Sequence, residues 1–358
     1  MVDSTFQDEP SRPREQGRKD ASRLHQRLLW GWLVAVFLLI AWNGHALAAQ
    51  ESPTAEQEWL AEWVNRGEFE RAWLDTLLAP LTPDPRVLRL MDRQAEAKPY
   101  YLYRKNFINE QRIQRGRALL REHRTLLQRI RQQFDVPPEI VVTLWGVESD
   151  FGRSAGDLSV LRTLYTLAAH YPRRAPFFRE ELRHFLLLCR EEGWDPHEPE
   201  GSYAGAFGQM QMMPSTLRTY GVDFNNDGKR DVFNDTGDIL ASIASFLARH
   251  GWKPDGIMSI QLNKKGNPDL STLVSPSLNA MRPWQEWQEM GILLGAQDEN
   301  PDPNEPAALI RLEEQQGSRY YMVFGNFKVI TQWNRSSRFA MVVRELSDAL
   351  RKTSQSSR

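Results

Sequence analysis

A mainly α fold, made α+β by one small β-hairpin insert, is predicted for this chain of 358 residues from three features. Apolar residues recur at spacings of three and four from Trp59 to Leu247, the signature of helices that bury one face. Prolines and glycines cut that pattern into pieces of helical rather than strand length. Only Ala308–Glu313 and Tyr320–Ile330 alternate with a period of two, around Gln315-Gln-Gly-Ser318, as a hairpin requires.

Residues 1–27 are polar and carry both charge signs, with Arg23 and Arg27 just ahead of an apolar run from Leu28 to Trp42. Asn43-Gly-His45 and Ala46-Leu-Ala48-Ala-Gln50 follow, giving the basic, apolar, small-x-small order of a secretory signal cleaved after Ala48. The run is short for a span of roughly 20 residues. An uncleaved anchor over residues 28–49 is the other outcome left open. No cysteine follows the run, which excludes lipid attachment at a new N-terminal cysteine. Either way, residues 50–358 are expected to work outside the cytoplasm, in the periplasm, touching membrane only through residues 28–49.

After a polar linker, Glu51–Glu56, the segment Glu58–Leu78 reads as one or two amphipathic helices through Trp59, Leu60, Trp63, Phe69, Trp73 and Leu77. Pro80, Pro83 and Pro85 end them, and Val87–Gln94 is a further short helix. Gln111–Phe134 is long, charged and helical. Pro137-Pro138-Glu139 opens the next helix, because proline suits a first turn, and Gly152 and Gly156 close it. Leu158–His170, Phe177–Glu192, Ser215–Tyr220 and Ile239–His250 follow as helices, the last ended by Gly251. From Gly256 the pattern loosens among prolines, the hairpin follows, and Arg338–Leu350 returns to helix. There is no internal repeat.

Composition narrows the chemistry. A net charge of -1 gives no global basic field, so nucleic acid is not an expected partner. The one cysteine, Cys189, sits in the apolar run Phe185-Leu-Leu-Leu-Cys189, which rules out an internal disulfide or a cysteine metal cluster. His170, His184, His197 and His250 are scattered without the paired spacing of a zinc site, and no GxSxG or P-loop is present.

Glu148 is the candidate catalytic residue. It lies in Glu139-Ile-Val-Val-Thr-Leu-Trp-Gly-Val-Glu148-Ser-Asp-Phe151, where a helix would give it a face shared with Val141, Leu144, Trp145 and Phe151. A carboxyl on an apolar face resists ionisation, so its pKa should rise. An acid still protonated near neutrality can protonate a poor leaving group such as a glycosidic oxygen. An ordinary helical glutamate is solvated or paired, so this position alone does not establish catalysis. A second segment, Gly201–Ser215, holds Gly201, Gly205 and Gly208 for tight turns. Its Gln209 and Gln211 offer donors and acceptors to sugar hydroxyls and acetamido groups, though a glycine-rich turn between helices has the same composition.

Taken together, Gly146-Val-Glu148-Ser-Asp-Phe-Gly152, Tyr171-Pro-Arg-Arg-Ala175, Ala204-Gly-Ala-Phe-Gly208 with Gln211, and Met213-Pro-Ser215 resemble the membrane-bound lytic murein transglycosylase B family. The resemblance runs from Val87–Gln94 through Tyr103–Ile108 to Asn326–Thr331 and Trp333–Ser336, nearly the whole exported chain. It implies a lysozyme-like core of about residues 105–254, with a second lobe built from 55–104 and 255–350 and a glycan groove between them. It implies Glu148 as the single acid/base, and Tyr103, Arg173, Arg174, Ser202, Gln211 and Asn334 as groove residues. Phe246, Trp333 and Phe339 stand where the family has groove tyrosines, so stacking is kept and a phenolic hydroxyl is lost each time.

Asp223-Phe-Asn225-Asn-Asp227-Gly228-Lys-Arg-Asp231 begins like an EF-hand calcium loop, with oxygen ligands two residues apart. An Asx-rich turn that binds nothing has the same start. The resemblance implies a longer loop closing on an aspartate, which makes Asp223, Asn225, Asp227, the Lys229 carbonyl and Asp238 the candidate ligands of a structural Ca2+. No cofactor is expected for the chemistry. Asp150, two residues beyond Glu148, points elsewhere on a helix, so a two-carboxylate mechanism lacks its second member. The resemblance implies a lytic transglycosylase acting as a monomer on peptidoglycan strands. It would cleave between N-acetylmuramic acid and N-acetylglucosamine and leave 1,6-anhydro ends. The alternatives are a lysozyme-type hydrolase and an inactive peptidoglycan-binding scaffold.

Overall fold

The computed structural model describes residues 55–92, 98–295 and 300–352; the signal or anchor expected in residues 1–49 lies outside them. From Ala55 onward the chain forms one compact unit. It starts with helices α1 (Ala55–Asn65), α2 (Arg71–Leu78), α3 (Pro85–Asp92) and α4 (Tyr100–Tyr103). Trp59, Trp63 and Leu74 from this region are buried in the same apolar core as the later helices. The predicted long helix over Gln111–Phe134 is two helices, α5 (Glu110–Glu122) and α6 (Arg124–Phe134). His123 breaks it with ψ of 21°, so the two halves follow different neighbours. That ψ is too high for helix to continue.

Next comes α7 (Pro138–Ser149), which is buried from Ile140 through Val147 on all sides. A helix apolar all round belongs in a core, and α7 is its axis. Beyond it lie β1 (Leu158–Ser159), α8 (Val160–His170), α9 (Ala175–Glu192), β2 (Glu200–Gly201), α10 (Pro214–Tyr220) and α11 (Thr236–Arg249). Each fully buried leucine, valine or phenylalanine here contributes about 1.5–3 kcal/mol. β1 and β2 pair antiparallel, Leu158 opposite Gly201, and so tie the glycine-rich segment to the start of α8.

The β-hairpin insert is larger than predicted. β5 (Pro306–Glu314) and β6 (Gly317–Val323) pair as expected. They are joined by β3 (Ser259–Leu262) and β4 (Arg282–Pro283) in a sheet ordered β3-β6-β5-β4, with the short helix α12 (Trp284–Glu289) after β4. Two strands of four and two residues among prolines are too short to show a period. The second predicted strand stops at Val323 rather than Ile330: Phe324 is extended and α13 (Gly325–Trp333) starts, burying Phe327 and Ile330 at helical spacing. The sheet is two-faced. Ala308, Ile310, Leu312, Tyr321 and Val323 join the helical core, while Ala307, Leu309, Tyr320 and Met322 face a second cluster with Trp284 and Trp287. Finally α14 (Ser337–Arg351) packs on α5, α7 and α13, and α11 packs on α6 and α7. Thus α7 is clamped from three sides, which fixes where its last turn points. Among the described residues, no helix is long and apolar enough to cross a membrane.

Candidate active site

The last turn of α7 ends abruptly. Asp150, Phe151 and Gly152 take φ of 52°, 60° and 82°, three successive left-handed residues of which two carry side chains. Such backbone costs about 1–2 kcal/mol per non-glycine residue. Phe151 therefore does not continue the helical face ahead of Glu148; its ring folds back against Trp145, centroids 5.8 Å apart and perpendicular. Gly146 makes room, since a Cβ there would sit 2.5 Å from the Phe151 ring. Asp150, rather than the predicted glycines, caps the helix. Its carboxylate is held by Arg112, Nε donating to Oδ1 at 3.2 Å, and by Arg153. Two guanidinium groups thus occupy the only carboxylate close to Glu148 in sequence.

Glu148 keeps some access to solvent, so dense packing rather than full enclosure desolvates it. That packing drives its pKa up to about 8, against the opposing pull of one hydrogen bond. The bond comes from Trp333 at the end of α13, whose Nε1–H donates to Glu148 Oε1 at 2.7 Å. A hydrogen-bond donor therefore survives where the sequence suggested that loss of a phenol removed one. The Tyr103 phenol is also raised, first by burial and then by the nearby Glu148 carboxylate, with Arg338 opposing. Tyr103, Glu148, Trp333 and Arg338 are thus drawn into one electrostatic neighbourhood from α4, α7, α13 and α14.

The indole is braced from behind. Phe246 meets Trp333 edge-on at 4.9 Å, stacks on His250 at 4.0 Å and contacts Tyr220 at 5.0 Å. Phe246 is 5% exposed and Phe339 3%, so neither offers a face to a sugar. Both were expected to line the groove; both are core, because a ring without its hydroxyl has nothing to gain from water. Asn334, one residue past Trp333, is exposed. Arg173 and Arg174 are exposed on the turn between α8 and α9, with the Arg174 guanidinium 4.4 Å from the Phe177 ring centroid.

In the glycine-rich segment, Phe207 bridges to Gly201 and Met212, closing two small loops. Ser202 accepts from Ala206 N–H at 3.2 Å and remains half-buried. Gln211, itself left-handed at φ 53°, donates to the Ala155 carbonyl at 2.6 Å. Gln209 is a lock: its Oε1 accepts from Trp145 Nε1 at 2.9 Å and its Nε2 donates to the Phe233 carbonyl at 2.6 Å. It packs so close to Gly152 that a Cβ there would lie 2.1 Å from its oxygen. Sequence reasoning gave Gln209 to sugars and missed Arg112 altogether, since no local pattern joins residues 112 and 150. A second buried acid, Glu181, is also raised by burial, but Ser215 N–H and Oγ bond both its oxygens at 2.9 and 2.7 Å, which leaves Glu148 the freer of the two.

The acidic loop between α10 and α11 folds on itself. Asp223 accepts from the N–H groups of Asp227 and Gly228, and Asp227 accepts from Lys229 N–H. Asp238 departs from its expected role as closing ligand. It is fully buried, and its two oxygens accept from Phe224 and Asp231 N–H at 2.7 and 2.8 Å. Asp235 instead faces the loop: Asn225 Nδ2 donates to both Asp227 Oδ2, at 3.1 Å, and Asp235 Oδ2, at 3.0 Å.

A family model described as the transglycosylase SLT domain matches residues 53–348. The membrane-bound lytic murein transglycosylase B of Escherichia coli K12 is 34% identical over 318 residues, covering 84% of this chain and 83% of that one. Catenated lytic transglycosylase SltB1 from Pseudomonas aeruginosa superposes with a TM-score of 0.77 at 34% identity, covering 84% of this chain and 98% of that one. The Escherichia coli lytic transglycosylase Slt35 in complex with calcium superposes with a TM-score of 0.74 at 33% identity, covering 82% and 91%.

Proposed function

This chain belongs to the transglycosylase SLT domain family and is a peptidoglycan lytic transglycosylase with a lysozyme-like core, and on that footing we propose that Glu148 works alone, first as acid and then as base. The observation that carries the proposal is a carboxyl with its pKa near 8 whose one hydrogen bond among the described residues comes from a group that can only donate. At neutral pH Glu148 is protonated. The indole hydrogen bond occupies Oε1, so the acid proton resides on Oε2. That proton goes to the glycosidic oxygen between N-acetylmuramic acid and N-acetylglucosamine, and the C1–O bond breaks with its electron pair on the leaving oxygen. The muramic 2-acetamido group steadies the cation. Glu148, now a carboxylate, takes the proton of the C6 hydroxyl as O6 bonds to C1. A 1,6-anhydro ring closes, Glu148 is again an acid, and no water is consumed. Asp150 takes no part, because Arg112 and Arg153 occupy its carboxylate.

Tyr103, Ser202, Gln211 and Asn334 serve as groove contacts in this proposal, with Arg173 and Arg174 facing the carboxylates of peptide stems. Stacking falls to Trp333 alone, with Phe246 behind it. A structural Ca2+ would be held by Asp223, Asn225, Asp227, the Lys229 carbonyl and Asp235, since the Asp227 and Asp235 carboxylates both meet the Asn225 side chain. Turning the Asn225 amide would present its oxygen instead. The metal would supply loop rigidity and no step of the chemistry. Residues 1–49 export the enzyme to the periplasm. The experiment is digestion of purified sacculi with mass spectrometry of the soluble fragments: anhydromuropeptides from the wild type and none from Glu148→Gln, which still binds sacculi, are expected. Products from Glu148→Gln would overturn the assignment.

A further inference from the structure

A cavity of about 760 Å3 lies between the α1–α2 turn and the C-terminal part of α9, and its lining shares no residue with the Glu148 site. Trp73 forms one wall and is 40% exposed. Its ring is stacked on Phe69, centroids 5.6 Å apart and planes 8° from parallel. The Arg190 guanidinium lies over the same Phe69 ring at 5.5 Å, and its Nη1 donates to the Glu68 carbonyl at 2.6 Å. Trp73 is therefore held as a plate in the cavity wall. Glu68 also lines the cavity, with its Oε1 bonded to Arg183 at 2.6 Å and its Oε2 buried. Glu70 lines the same cavity, and so does Trp194, which contacts Phe207 edge-on at 6.2 Å.

A rigid aromatic plate flanked by carboxylates and a guanidinium suits one ligand class. A β-linked N-acetylhexosamine shows a face of axial C–H groups to the plate and hydroxyls at its edges to Glu70 and Arg190. An anionic lipid or nucleic acid would meet two carboxylates instead. The volume suits a small-ligand site of one or two sugar units. We propose that this cavity is an accessory saccharide site, holding an N-acetylhexosamine of the same glycan strand or a neighbouring one while Glu148 works elsewhere. The proposal rests on the reading of this chain as a glycan-cleaving enzyme.

The test is a titration of the 15N-labelled Glu148→Gln protein with chitotetraose, following indole N–H resonances assigned by Trp73→Phe, Trp194→Phe and Trp333→Phe. Shifts at Trp73 and Trp194 as well as Trp333 are expected. Shifts at Trp333 with Trp73 and Trp194 unmoved overturn the accessory site and leave the proposed function intact; no shift at any of the three overturns the accessory site and the stacking role of Trp333, while loss of anhydromuropeptides in the sacculus digest is what would overturn the proposed function. In the Glu148-containing enzyme, Trp73→Ala should slow digestion of insoluble sacculi about fivefold. It should leave cleavage of short soluble glycans unchanged, while Trp73→Phe, which keeps a ring, retains most of the sacculus activity. Equal digestion of sacculi by Trp73→Ala and wild type contradicts the proposal.

Discussion

At Glu148 one side chain carries two opposed demands. Catalysis needs a proton held to about pH 8, and stability would prefer no carboxyl there. Unfolded, this group titrates near the ordinary value of 4.5. Between the two values folding must take up a proton, so the contribution of Glu148 to stability falls as pH rises through that window and is level above it. Glu148→Gln should therefore melt higher than wild type, with a margin that grows from pH 5 to pH 8, and thermal melts across that range check it. Trp333 sets the second prediction. Its N–H lowers the Glu148 pKa, so Trp333→Phe should move the alkaline limb of the pH–rate profile upward by about one unit. Trp333→Tyr, which can donate, should restore it. A merely structural indole would lower the rate at every pH and leave the limb in place. The sequence made Glu148 legible because an apolar run ending in a carboxylate is unusual. It could not reveal that Trp333, 185 residues later, supplies the hydrogen bond.

The elements around Glu148 are held by close approaches rather than by propensity. Gly152 joins a left-handed φ to a contact with Gln209, and Gln209 ties Trp145 to Phe233. Gly152→Ala should destabilise by about 2–4 kcal/mol in denaturant unfolding and lower activity with it. The acidic loop gives the next expectation. With a Kd near 10 µM, about 1 mM calcium would add roughly 2.7 kcal/mol to stability. Asp235→Ala should abolish the calcium-dependent rise in Tm while the protein stays folded without calcium. Asp238→Ala should instead destabilise with or without calcium, since it strips two buried N–H groups of their acceptor. Helices were legible here wherever a proline or glycine marked an end. The break at His123 was not, because what decides it is which helix each half packs against. The ladder from β3 to β4 was not either, because strands that short gain their identity only from neighbours.

Across the whole molecule, α7 is gripped by α5, α11 and α14, and the sheet joins that core on one face while closing a second apolar cluster on the other. Order of motifs along the chain was enough to anticipate a lysozyme-like core, since several family motifs follow one another in one sequence order. The groove aromatics were not, because Phe246 and Phe339 look like stacking residues in sequence and are interior in three dimensions. Processing belongs to this scale too: export with cleavage after Ala48 predicts a mature chain starting at Ala49 by intact mass of the isolated protein, and a full-length mass in the membrane fraction would favour the anchor. The central claim, one carboxyl and no water, is tested most directly by digesting sacculi in H2 18O and weighing the released muropeptides. Products lighter than the hydrolysis products by one water, with no 18O at the muramic end, are the predicted result. Incorporation of 18O at that end would make the enzyme a hydrolase and contradict the account.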